Sequence, residues 1–255
     1  MRSIPMRSSV LFALSASLLL SCTRDPEVPD EPTVPQGVVK LSVVPTWNGL
    51  PFDKLMVYHN VENKRVQVQV VKFYLAPLEL VGGGGAEQLF QADLFDIVNG
   101  PETRVLKAPV GHYSDLHFGL GLPYDLNHAD ITTIDPNTPL GNNSGMYWSW
   151  ATLYRFALFE GHFDTSATAT GPPPFVFGYH TGMDTLYRMA TLPLSLDVNA
   201  TDTARLTLQV DIARFFTNGT DTLDLSEGAS FHGEVANVRL GIRVANLERD
   251  AFRVP

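Results

Sequence analysis

The sequence predicts an all-β fold, an antiparallel β-sandwich with long loops and at most short helices. Apolar runs of strand length recur at intervals of roughly 8–12 residues, each closed by a turn signal. The 255 residues include 20 Gly and 18 Pro, which punctuate the chain too often for long helices. With 44% hydrophobic and 18% charged residues, the chain can bury one large core, and sandwiches of this length are often undivided.

The N-terminus reads as an export signal. Arg2 and Arg7 give a positive start, and Val10 to Leu20 is an apolar run too short to cross a bilayer. It ends Leu19-Leu20-Ser21-Cys22, which resembles a bacterial lipobox. Residues 1–21 are therefore expected to be a lipoprotein signal peptide. Cys22 is expected to carry the lipid, a membrane anchor made firm by more than one acyl chain. It is the single cysteine, so a disulfide framework is excluded. Residues 22–37 alternate prolines with acids and read as an extended tether. Residues 38–255 form the folded domain. The expected location is the bacterial cell envelope, at the outer membrane or a periplasmic face. The net charge of −9 makes nucleic acid a poor partner.

The domain opens with the β-rich run Val38 to Val44, followed by a turn over Pro45 to Gly49. Val66 to Leu80 is a long strand beginning in strict alternation, with Val66, Val68 and Val70 on one face and Gln67 and Gln69 on the other. Lys72 is expected to snorkel or to pair with an acid. The four glycines Gly82 to Gly85 lack the Lys-Ser/Thr pair of a phosphate loop and mark a hairpin tip. Leu89 to Ile97 is the return strand. Arg104 to Ala108 and Leu116 to Leu120 follow, around the Gly111-His112-Tyr113 turn.

Gly121 to Asn143 is a long polar connection of the kind that often carries function. The densest aromatic run, Gly145 to Gly161, reads as a central core strand. Thr165 to Pro174 is a second exposed loop. Strands are expected at Phe175 to His180, Tyr187 to Leu196, Arg205 to Val210 and Val238 to Val244, with a helical turn over Asp211 to Phe216.

No nucleophile elbow is present, and nothing in the chain points to an enzyme. The seven histidines follow neither H-E-x-x-H nor any cysteine-based zinc spacing, so a metal site would be assembled in space from separate strands. Copper suits imidazole donors without thiolate. His180 ends an aromatic strand beside a glycine turn, where an imbedded imidazole is held rigidly. His232 follows the polar stretch Glu227 to Ser230, and His112 follows a turn glycine.

Gly145-Met146-Tyr147-Trp148-Ser149-Trp150, continued by Tyr154-Arg155-Phe156 and Glu160-Gly161, resembles the signature of the MbnP-like family. Val71 to Leu75, Gly111-His112-Tyr113 with Phe118 to Gly121, Phe177 to Gly182, and Val210-Asp211-Ile212 resemble further segments of it in order. The resemblance spans roughly Val38 to Phe252. It implies an extracytoplasmic copper-binding β-sandwich. Methanotroph relatives of the MopE and CorA kind bind copper through His and a kynurenine made from Trp by a dihaem partner of the MbnH kind. Carried onto this chain, the resemblance marks His180 and His232 as metal ligands, with His112 a third candidate from its local context, and Trp148 and Trp150 as tryptophans that are either oxidised or structural. Gly178 stands two residues before His180, where those relatives have the tryptophan.

The expected function is thus lipid-anchored copper binding in metal acquisition or storage. The alternative is a non-enzymatic surface module taking carbohydrate or a partner protein, which an exposed Trp148 or Trp47 platform would favour.

Overall fold

The computed structural model describes residues 34–148 and 153–255. The expected signal peptide, Cys22 and Trp150 lie outside the described residues.

The strands run β1 Gln36–Trp47, β2 Leu50–Pro51, β3 Tyr58–His59, β4 Arg65–Gly82, β5 Gly85–Phe90, β6 Asp93–Asp96, β7 Glu102–Pro109 and β8 Gly111–Leu120. A single helical turn, α1 Tyr124–Asn127, lies in the long connection. The strands resume with β9 Tyr147–Trp148, β10 Leu153–Asp164, β11 Phe175–Gly182, β12 Arg188–Val198, β13 Thr203–Asp211 and β14 Ser230–Phe231. The helix α2 Val238–Asp250 and the short β15 Phe252–Arg253 close the chain.

The strands form the two sheets of a sandwich. One is ordered β15-β13-β1-β2, with β7 also on β1. The other is ordered β12-β8-β4-β10-β11-β14, with β3, β5 and β6 on β4 and β9 on β10. Pairing is antiparallel except between β1 and β13 and between β11 and β14. Alternation fills the space between the sheets. Val39, Leu41 and Val43 of β1 share one core with Val66, Val68, Val71 and Phe73 of β4.

A second apolar cluster lies on the opposite face of the larger sheet. It gathers Tyr74, Ala76, Tyr154, Phe156 and Leu158 from the strands with Leu122 and Met146 from the long connection. Val70 packs against this cluster, not beside Val66 and Val68. The reason is a bulge: Glu160 pairs with Val70 and Gly161 with Val68, so Gln69 is an extra residue that reverses the alternation. Among the described residues Lys72 pairs with no acid. Its Nζ donates to the Ser144 carbonyl at 2.7 Å, tying the connection down.

Two further expectations are corrected. β1 continues through Pro45 to Trp47, and the turn is confined to Asn48 and Gly49 at φ 50° and 80°. Both positions are left-handed, as a two-residue hairpin with the strands' own twist requires. Val238 to Val244 is the first part of a 13-residue helix, not a strand. Val238, Leu240, Ile242 and Val244 alternate as a strand would, but Gly241, Val244, Ala245, Leu247 and Glu248 are the buried set, which recurs at a spacing of three and four. Ile242 is left exposed.

Candidate metal centre

The site is built from β11 outward. Phe177 and Tyr179 point into the main core, so Gly178 and His180 belong to the opposite face. The backbone N–H of Gly178 donates to the Ala229 carbonyl at 2.9 Å, and the Tyr179 hydroxyl donates to the Gly228 carbonyl at 2.5 Å. These bonds dock β14 beside β11, with Gly178 paired to Ser230 and Tyr179 to Phe231. Phe231 is fully buried against α2. It fits because residue 241 is glycine: a Cβ there would stand 2.4 Å from the Phe231 ring. With Phe231 fixed inward, His232 is turned to the face that carries His180.

The two imidazoles meet. Their Nδ1 atoms are 2.9 Å apart, and their rings are 4.4 Å between centroids at 75°. The other nitrogen of His180, Nε2, lies 2.6 Å from Glu160 Oε1 on β10. An ionised carboxylate only accepts, so His180 Nε2–H is the donor. Nδ1 of a neutral His180 ring is then the acceptor, and His232 Nδ1–H donates to it. The hydrogen bond from His180 holds the Glu160 carboxyl below its ordinary range. Burial, followed by the neighbouring His180, pushes the His232 imidazolium below its ordinary value. Both effects favour an anionic Glu160 and an uncharged His232.

Trp148 closes one side. The connection is held over the sheet by Tyr74 and Tyr154, whose hydroxyls donate to the Pro139 and Leu140 carbonyls at 2.6 and 2.5 Å. It delivers Trp148 on β9, paired with Leu153 of β10. The Trp148 ring lies 5.2 Å from His180 and 6.0 Å from His232. The Arg155 guanidinium stands 4.5 Å from the Trp148 ring centre.

His112 is elsewhere. It opens β8, where Nδ1 contacts Asp197 of β12 at 2.8 Å, and β4 and β10 lie between β8 and β11. Trp47 is buried and stacked on Tyr58 at 4.3 Å, so it presents no platform for a sugar.

Among the described residues, no group of three His, Cys, Asp or Glu is placed to hold a metal ion. Glu160 does not join the histidines as a third donor because it occupies the far nitrogen of His180. The separation of the pair is that of a hydrogen bond, 2.9 Å, and it equals the span of two metal–imidazole bonds of about 2.0–2.1 Å that meet at a right angle. A carboxylate on the distal nitrogen is the usual support for a ligating imidazole.

The family model for MbnP matches residues 36–233, a span that ends just past His232. The chain belongs to the MbnP family. Among solved structures, MbnP from Methylosinus trichosporium aligns with a TM-score of 0.47 at 14% identity, covering 79% of this chain and 82% of that one. No curated protein matches.

Sequence reasoning offered Glu160 as part of the aromatic signature and as a possible partner of Arg155, and gave it no role at the site. The Thr165 to Pro174 loop hides the β10–β11 register, and without the register the pairing of Glu160 with Gly178 cannot be read.

Proposed function

We propose that the chain is a non-enzymatic, extracytoplasmic copper-binding protein, held at the membrane by a lipid on Cys22 and acting in copper acquisition or storage. The observation that carries the reading is the His180–His232 pair, with its Nδ1 atoms 2.9 Å apart and Glu160 on the distal nitrogen of His180. Membership of the MbnP family supports copper over other metals that accept imidazole. His180 and His232 would hold the ion. Glu160 would keep the His180 proton on Nε2, and loading would displace the Nδ1 proton of His232. Trp148, whose ring lies against both imidazoles, would be a tryptophan for a dihaem partner of the MbnH kind to oxidise.

The test is equilibrium copper binding to the soluble domain, read by metal analysis after dialysis. One copper per chain is expected in the parent, with loss in His180→Ala and in His232→Ala. A parent that retains no copper above background overturns the proposal. Mass analysis of Trp148 after exposure to such a partner checks the oxidation separately.

A further inference from the structure

The outer face of the smaller sheet is charged unlike the rest of the chain. Val39, Leu41 and Val43 of β1 and Leu206 and Leu208 of β13 are buried in the core, so the residues that alternate with them face away from it. That outward set holds Lys40 on β1 and Arg205 on β13. The β1–β7 register adds Val105 and Lys107, opposite Lys40 and Val38. Arg253 of β15 joins them opposite Gln209, to which its Nε donates at 2.8 Å. Residues 36–44, 103–107 and 203–209 contain no Asp or Glu, although the chain carries a net charge of −9.

This arrangement has a cost that nothing within the face offsets. The parallel β1–β13 register sets Lys40 directly opposite Arg205. Neighbouring strands lie about 4.8 Å apart, and like charges opposite one another across a ladder are destabilising. Arg104, on the inward side of β7, pairs with Asp93 and Glu102. Among the described residues no carboxylate pairs with Lys40, Lys107 or Arg205.

An anion from outside removes the cost. Val105, 73% exposed, and Val38 lie among the cations. Cations mixed with exposed apolar side chains over several strands suit a broad anionic interface. A second copy would set the same cations against themselves. The chain also enters the domain at this face. The Pro35 carbonyl accepts from the Val110 N–H at 2.8 Å, and Gln36 lies opposite Pro109, two residues beyond Lys107. Residues 22–33 precede Val34, and a stretch of that length spans at most about 40 Å.

We infer that the outer face of the smaller sheet docks on an anionic phospholipid bilayer, with Lys40, Lys107, Arg205 and Arg253 meeting the headgroups. The inference rests on the lipid on Cys22 proposed above, which keeps the face within reach of the bilayer, and it adds an orientation. The acidic remainder of the chain is repelled by the same surface and turns the same way. His180 and His232, on the outer face of the larger sheet, then point away from the bilayer.

The test uses the lipidated chain in vesicles of phosphatidylcholine, alone or mixed with phosphatidylglycerol. A nitroxide on the lipid headgroup quenches a fluorophore attached in Val105→Cys or, as a control, in Tyr124→Cys, which lies in the connection over the far side of the larger sheet. Strong quenching in Val105→Cys and weak quenching in Tyr124→Cys are expected in the anionic vesicles, and the contrast should vanish at high salt. Each cation near an anionic surface contributes roughly a factor of five. Lys40→Gln, Lys107→Gln and Arg205→Gln together should therefore lower the docked-to-undocked ratio about a hundredfold. Equal quenching at both positions, strong quenching in Val105→Cys without anionic lipid, or a triple variant that behaves like the parent overturns the inference and leaves the lipid on Cys22 standing. A chain that leaves phosphatidylcholine vesicles on sedimentation but stays on the anionic ones sinks the lipid on Cys22 and supports the face. A chain that leaves both overturns both.

Discussion

His112 and His180 each carry a carboxylate on one ring nitrogen, yet the two regions differ in kind. The His112–Asp197 pair at the β8–β12 edge has side chains 58% and 82% exposed. The His180–Glu160 pair has an imidazole 9% exposed, with a second imidazole on its free nitrogen. A carboxylate partner is common, and on the surface it orders little, because water screens the pair and both side chains lose freedom. A site requires the ring to be held by its surroundings. At His180 those surroundings are Trp148, Leu158 on the neighbouring strand, and the β14 segment docked by Phe231.

The comparison can be broken most severely at its anchor. Phe231→Ala removes a fully buried ring and should cost about 3–5 kcal/mol in a denaturant titration, while releasing His232 and abolishing copper retention. Stability loss with copper binding intact would show that His232 is placed by something else.

The next largest effect lies on the inner side of β11. Thr181 donates to the Glu248 carboxyl of α2 at 3.0 Å, and the other Glu248 oxygen is buried without a partner among the described residues. Burial pushes this carboxyl up to about 8, against an ordinary 4.5. Between those values the folded chain keeps a proton that the unfolded chain releases. Stability therefore falls as pH rises through the window, on the order of 1 kcal/mol per pH unit, and is highest toward the acid end. Glu248→Gln should flatten that slope between pH 5 and 8 in unfolding titrations. An unchanged slope would refute the assignment.

Glu160→Gln should sharpen the contrast further. The amide keeps an acceptor near His180 Nε2 and removes the charge, so copper affinity should fall about 10–100-fold with little change in melting temperature. The smallest effect belongs to His112→Ala, which should shift stability by no more than about 0.5 kcal/mol and leave copper binding unchanged. A loss of copper there would dissolve the distinction between the two histidines.

Sequence reading reached the fold class because strands with one buried face write their period into the chain. Val39, Leu41 and Val43 show it, and so do Phe177 and Tyr179. It also singled out His180 and His232, from local context and from the family resemblance. It misread Val238 to Val244, whose alternation belongs to a helix that buries a different set of residues. It gave Val70 to the wrong face because a bulge leaves no mark in composition. It grouped His112 with the other two histidines, since spacing along the chain says nothing about which strands become neighbours.

By itself, then, the sequence determined the sandwich and the family and drew attention to histidines, because these follow from residue type and local pattern. Only the tertiary structure decided that His180 and His232, 52 residues apart, share one face with Nδ1 atoms in contact. It alone set Glu160 on the far nitrogen and Trp148 against both rings. Those facts depend on strand order, on the parallel docking of β14, and on how Phe231 packs under Gly241. These are long-range choices fixed by burial, and no local period encodes them.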